Sequence, residues 1–252
     1  MSILPRIMLA PNGAHKTRVN HPRLPVTIAQ LIEETHLAVA EGADGLHAHV
    51  RDEQGRHSLD AGLYRELLAE TDRAFPDLFV QVTTEAAGLY SAAQQRQLVR
   101  DLRPRHVSIG LREVTSDGDT AATADLFAFC ADEGIDVQHI LYDEDDCRHF
   151  LRLRTDGTIP GAHPQVLHVL GRYSAGQVSD PAEIAPRLAA LAGHPVDWGL
   201  CAFGHNETAC LIETLRLGGK ARIGFENNFE HPDGQIAESN AERVRNLVAQ
   251  LV

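Results

Sequence analysis

The segment Gly45-Leu46-His47-Ala48-His49-Val50-Arg51-Asp52 sets two imidazoles two residues apart and follows them with a guanidinium and a carboxylate. In an extended strand, residues i and i+2 share a face, so His47, His49 and Arg51 point one way and Leu46, Ala48 and Val50 the other. Two imidazoles on one face make half of a metal site, although strand histidines with ordinary hydrogen bonds fit the same spacing. Near the other end of the chain, Arg222, Gly224 and Glu226 repeat the period of two, with a glycine between a cation and a carboxylate.

The elements that must position these groups are strand-like runs at 6–10, 44–50, 78–84, 106–110, 136–142, 165–171, 196–202 and 221–225. Helical stretches lie between them. Thr27 with Gln30, and Ser91 with Gln94, fit the capping box, while Asp180-Pro181 with Glu183 offers a cap, a proline at the first helical position and an early acid. Gly42, Gly134, Gly157 and Gly193 stand just past helical segments, where a left-handed residue ends a helix. Eight strands alternating with about eight helices, with no Pro/Gly/Ser-rich linker, predict one α/β domain over residues 1–252, a (β/α)8 TIM barrel. A doubly wound open sheet is the alternative. After the first strand, however, Pro11-Asn12-Gly13-Ala14-His15 lacks the glycine-rich fingerprint of a dinucleotide fold.

Composition narrows the function classes. Hydrophobic residues make up 43% and charged residues 23%, a globular balance, and 252 residues suffice for a sizeable core. The net charge of −12 repels nucleic acid and acidic membrane surfaces. No apolar run approaches the roughly 20 residues of a membrane helix. Cys130, Cys147, Cys201 and Cys210 show no CxxC spacing and follow no secretory segment, so reduced thiols in a cytoplasmic protein are expected.

In a barrel of this kind, chemistry belongs at the C-terminal ends of the strands. The candidates there are Asn12, His47, His49, Arg51, Thr83, Thr84, Glu85, Ser108, Arg112, Tyr142, Asp143, Arg172, Cys201, His205, Arg222 and Glu226. The eighth strand closes beside the first, so Glu226 reaches across the mouth toward His47 and His49. Two histidines and a carboxylate leave a coordination position open, the mark of catalytic rather than structural zinc. Plainer roles stand beside these: a salt-bridged strand end for Arg51 and Asp52, an ion-pair partner for Arg222, and a solvated helix face for Arg96, Arg100, Arg103 and Arg105. His139 and His168, in mid-strand, suit interior packing.

The segments NGAHKTR and PRLPVTIAQ (12–30), EGADGLHAHVRDEQGRHSLD (41–60), VQVTTE (80–85), HVLG (168–171), LGGKARIGFENN (217–228) and GQIAESNAERV (234–244) resemble the β-keto acid cleavage enzymes. The resemblance implies a TIM barrel that holds Zn2+ with His47, His49 and Glu226. It implies exchange of the acyl part of a β-keto acid with acetyl-CoA, giving acetoacetate and a new CoA thioester without a covalent enzyme intermediate. In such a reaction a Lewis acid polarises the ketone, and a carboxylate oriented by an arginine removes the proton between the two carbonyl groups. That arginine matches Arg222, and a nearby hydroxyl, usually serine, matches Thr83. Arg51, Ser108, His15 and Glu85 are the expected substrate contacts.

This chain departs from the family pattern at three places. Asn227 stands where the base is usually an aspartate, and an amide cannot accept a proton near neutral pH, although it can donate to developing charge. His15 replaces an acidic residue after the first strand, and Phe203-Gly204-His205 replaces a GxGR-like turn. Glu85, Glu113, His15 and His205 are the nearest substitute bases. Two rival readings follow. Amidohydrolase-type zinc barrels also use an HxH pair with further histidines on strands five and six, where His139 and His168 lie, and a non-catalytic metal-binding relative would explain Asn227. Assembly into a homo-oligomer, a dimer or tetramer, is the general expectation for such barrels.

Overall fold

The computed structural model describes residues 4–251. Its strands are β1 (Ile7–Leu9), β2 (Gly45–Ala48), β3 (Val50–Arg51), β4 (His57–Ser58), β5 (Phe79–Thr83), β6 (His106–Gly110), β7 (Asp136–Leu141), β8 (Gln165–Leu170), β9 (Asp197–Ala202) and β10 (Lys220–Ile223). Eight of them, all parallel, close into a barrel in the order β1-β10-β9-β8-β7-β6-β5-β2. Met8 sits between Gly45 of β2 and Arg222 of β10, so the first strand closes the ring between the elements that carry the histidines and Glu226. The fold is the predicted (β/α)8 barrel.

The helices are α1 (Ile28–Ala40), α2 (Ala61–Ala74), α3 (Ala92–Leu102), α4 (Leu111–Val114), α5 (Thr120–Asp132), α6 (Glu144–Thr155), α7 (Ile184–Ala190), α8 (Glu207–Arg216) and α9 (Asn240–Ala249). Thr27 and Ser91 cap α1 and α3 with reciprocal Gln30 and Gln94 bonds, as their spacing predicts. The Asp180–Glu183 box caps a short 3-10 turn that leads into α7 instead of a full α-helix. Outward strand residues such as Leu46, Val107, Ile109 and Leu200 pack beneath helix residues such as Leu31, Leu67, Leu126 and Leu211, forming the main core. A parallel sheet covered on both faces buries its strands in this way. Among the described residues, no helix is long and apolar enough to cross a membrane.

Two expectations need correction. The second strand ends at Ala48, two residues early, and Val50–Arg51 pairs instead with His57–Ser58 in a small antiparallel sheet above the barrel. Asn12 is the cause: its amide bonds the backbone of His49 on both sides, donating to the carbonyl at 2.9 Å and accepting from the N–H at 3.4 Å. A side chain thus replaces the barrel neighbour that β1, ending at Leu9, no longer supplies. Of the basic residues on and after α3, Arg103 and Arg105 are exposed as expected, whereas Arg96 is buried against Asp117; Arg100 and Arg103 pair with Asp125 and Glu133.

Candidate active site

His47 and His49 both turn into the mouth of the barrel despite the break between them. Their Nε2 atoms lie 3.2 Å apart, and Oε2 of Glu226 lies 3.6 Å from the first and 3.5 Å from the second. All three side chains are buried, and Oε2 of Glu226 has no hydrogen-bond partner among the described residues. Donors held about 2.0–2.1 Å from one tetrahedral ion stand about 3.3 Å from one another. The three separations fit that arrangement, so these residues could hold a metal ion.

The protonation states agree. Gln81 commits its amide nitrogen to Oε1 of Gln138 at 3.1 Å, which leaves its oxygen facing Nδ1 of His47 at 2.9 Å. That oxygen can only accept, so Nδ1 carries the imidazole proton and Nε2 presents a bare lone pair to the cluster. Burial, helped by the charge of Arg222, depresses the His47 imidazole to about 3, which keeps it in the neutral form that a ligand requires. Burial alone would raise the Glu226 carboxyl, but Arg222 and the two imidazoles hold it well below the usual carboxylate range.

Close backbone packing sets Glu226 in place. Gly224 has φ +149°, and a Cβ there would lie 2.2 Å from the Ala10 carbonyl oxygen, so the predicted spacer glycine in fact lets the end of β10 press against β1. Gly13 has φ +61°, and a Cβ on it would strike Cγ of Glu226 at 2.6 Å. Asn240, at the start of α9, accepts from the Phe225 N–H at 2.8 Å, and Lys16 donates to the carbonyls of Phe225 and Glu226 at 2.9 and 3.1 Å.

Arg222 reaches Oε1 of Glu226 at 3.1 Å, while its Nε and Nη1 are buried without a partner. It lines an inner cavity with His47, Thr83, Glu85, Glu113, Tyr142 and Glu226, walled on one side by Ile140, Val169 and Phe203. This cavity has only about 20 Å³ of free space, room for a water or one small group. An adjoining outer cavity of about 270 Å³ shares Glu85, Arg172, Phe203 and Glu226 and adds His15, Lys16 and Gln177. Glu85 meets His15 and Arg172, each at 3.3 Å, and His49 at 3.8 Å. Burial works against its ionised form, yet these neighbours bring its carboxyl down to about 2. Burial lowers the Lys16 ammonium to about 8.

Other expected site residues sit elsewhere. Arg51 lines neither cavity: its guanidinium binds the backbone carbonyls of Asn12, Gly13, Lys16 and Gly55, holding the loop after β1 against the small sheet. Ser108 lies inside the barrel with its hydroxyl unpartnered, beside Thr83 and Gln138 in register but off both cavities. Asn227 turns away from the mouth, its amide donating to Oε1 of Glu207 at 3.0 Å and to the Arg222 carbonyl at 2.9 Å. Glu207 in turn accepts from Arg243 at 2.6 Å in an ion pair that is wholly buried. His205 is exposed and off both cavities. His139 packs on Phe127 and Phe150, and His168 on Trp198, outside the barrel, which removes both as donors to the centre and with them the amidohydrolase reading.

The family model described as BKACE, beta-keto acid cleavage enzyme, matches residues 6–251. The chain belongs to the β-keto acid cleavage enzyme family. It is 24% identical over 244 residues to the 3-keto-5-aminohexanoate cleavage enzyme of Fusobacterium nucleatum subsp. nucleatum, with 94% of this chain and 87% of that one aligned. It is likewise 24% identical over 254 residues to the 3-oxoadipate:acetyl-CoA acetyltransferase of Cupriavidus necator, covering 96% and 87%. Among solved structures, the apo form of ObcA superimposes with a TM-score of 0.68 at 15% identity. That match covers 91% of this chain and 62% of the longer ObcA chain. As a member of the β-keto acid cleavage family, the protein is an enzyme.

Sequence reasoning overlooked Gln81, Lys16, Glu207, Arg243 and Asn240. Gln81 shares a strand face with Thr83, so the period of two could have found it. Nothing in the sequence marks Glu207 and Arg243 as a buried pair.

Proposed function

We propose that the protein is a zinc-dependent β-keto acid cleavage enzyme that condenses a β-keto acid with acetyl-CoA to give acetoacetate and a new acyl-CoA. The observation that carries this reading is the convergence of two imidazole Nε2 atoms, that of His47 left bare by Gln81, and one carboxylate oxygen without a partner among the described residues, all within 3.6 Å of one another and beside a buried arginine with two free nitrogens. The acetyl-CoA named in the Cupriavidus relative supports the second substrate.

His47, His49 and Glu226 would hold the ion, which when bound supplies a Lewis acid for the keto oxygen. Arg222 binds the substrate carboxylate through Nε and Nη1, so that two buried donors gain the partner they lack. Thr83 lines the inner cavity and accepts from the Glu85 N–H at 3.0 Å, orienting Glu85. Glu85, His15, Arg172 and Lys16 frame the outer cavity, where two cations interrupt an otherwise acidic field and favour anionic substrates. Asn227 serves by holding the turn that carries Glu226, and Ser108 and Arg51 support the walls. Four buried free thiols favour a cytoplasmic setting, and closed homo-oligomers remain part of the proposal.

The test is to incubate zinc-loaded protein with a panel of β-keto acids and acetyl-CoA and to follow acetoacetate and new CoA thioesters by mass. Thioester formation with at least one keto acid is expected; none across the panel would leave the non-catalytic reading in possession.

A further inference from the structure

Asn227 faces Glu207 and not the cavity, so the proton between the two carbonyl groups of the substrate needs another acceptor. The inner cavity is lined by three carboxylates, Glu85, Glu113 and Glu226. Glu226 is turned to the two imidazoles and Arg222. Glu85 is engaged by His15 and Arg172, each at 3.3 Å, so its carboxylate is held in ion pairs. Glu113 differs from both. Its Oε2 accepts from the Ala86 N–H and from the Gln95 amide, each at 2.9 Å, and it forms no ion pair among the described residues. Two neutral donors thus fix one oxygen and leave Oε1 without a hydrogen-bond partner among the described residues. The residue stands on α4, the single turn directly after β6, which places it at the catalytic end of the barrel on a rigid support.

Building on the proposed cleavage reaction, we infer that Glu113 is the general base that has taken over from the missing aspartate. In the first step the C–H bond at C2 of the β-keto acid breaks, its electron pair moves toward the keto oxygen to form an enolate, and the proton goes to Oε1 of Glu113. C2 then bonds to the acetyl carbonyl as CoA thiolate leaves. The thiolate adds to the original keto carbon, whose bond to C2 breaks to give the new acyl-CoA and the enolate of acetoacetate, and a proton returns from Glu113 to C2, so the enzyme ends the cycle unchanged. Burial raises the Glu113 carboxyl, toward the working pH of a base.

The experiment measures two things in wild type, Glu113→Gln, Glu113→Ala and His205→Ala: C2 proton exchange of a β-keto acid in D2O without acetyl-CoA, followed by NMR, and full turnover with acetyl-CoA. Glu113→Gln should slow both by about 10²–10⁴-fold, with KM and metal content unchanged and the acid limb of the kcat–pH profile lost. Added formate should restore part of the activity of Glu113→Ala, and His205→Ala should behave as wild type. Full exchange and turnover in Glu113→Gln would overturn the inference while leaving the cleavage reaction intact. Wild-type exchange that depends on Glu113 without any thioester product would keep the base and refute the acetyl-CoA reaction, and a wild type that does neither refutes both.

Discussion

Nδ1 of His47 and Oε1 of Gln81 stand 2.9 Å apart, and that bond decides which imidazole nitrogen is free for a metal. Replacing Gln81 by Leu removes the acceptor and lets the ring take either tautomer. Metal affinity should fall about 10–100-fold, the usual cost of losing the partner that orients a ligand, while the far-ultraviolet circular dichroism stays unchanged. Chelator competition measures it, and an unaltered affinity would show that the barrel walls alone orient the ring.

The metal assignment has a direct check. Metal analysis should find about one zinc per chain, lost in His47→Ala and in Glu226→Ala with the fold retained. Full occupancy in the His47→Ala, His49→Ala double variant would move the ion elsewhere.

Arg222 offers two buried nitrogens that no atom of the described residues satisfies. Lysine keeps the charge but presents one point donor in place of a fork. Arg222→Lys should lower kcat/KM by about 10²-fold, near the value of two charge-assisted bonds of 1.5 kcal/mol each, with only a small change in melting temperature. A fall in melting temperature with activity kept would mean that the arginine serves Glu226 alone.

Asn227→Asp should not revive a lost base. The new carboxylate would face Glu207 in place of an amide that donates to it at 3.0 Å, and burial already raises the Glu207 carboxyl. Two like charges in one buried site raise their shared proton affinity further. A carboxyl whose folded pKa is raised loses stability as pH climbs through that value, so the deficit against wild type should be small at pH 5 and reach about 3 kcal/mol by pH 8, the scale of a broken buried pair. Urea unfolding at the two pH values tests this. Adding Glu207→Gln, which exchanges acid and amide, should recover most of the loss.

His139 and His168 predict how the fold responds to acid. Burial holds both imidazoles at about 3, against about 6.5 in an unfolded chain. With the folded value depressed, their neutral forms support the fold fully above pH 6.5, and that support drains away as pH falls toward 3, by up to about 1.4 kcal/mol per pH unit for each. His139→Phe should therefore flatten the decline of melting temperature between pH 6.5 and 4. An unchanged slope would place acid sensitivity elsewhere.

The barrel and the candidate metal triad were legible because both rest on periodicity. Apolar runs bounded by caps announced eight strands, and a period of two placed His47, His49, Arg222 and Glu226 on inward faces. Arg51 shows where that rule stops: the strand left the barrel at Ala48 because a side chain, Asn12, had taken over its pairing, and local spacing cannot reveal a distant amide. Glu207 and Arg243 were invisible for a related reason. Their partners are set by tertiary contact, and a glutamate at the start of a helix looks the same whether it meets water or a buried guanidinium.

The seam between β1 and β10 has a consequence for biogenesis. The two histidines emerge early from the ribosome and Glu226 near the end, and the contacts that seat Glu226, the close packing of Gly13 and the bonds from Lys16 and Asn240, exist only once the ring has shut. Joining such remote segments is the most costly loop closure in the chain, so it should come late. A nascent polypeptide would therefore offer any passing ion two donors and no third, and tight capture would be reserved for molecules whose synthesis and folding are complete.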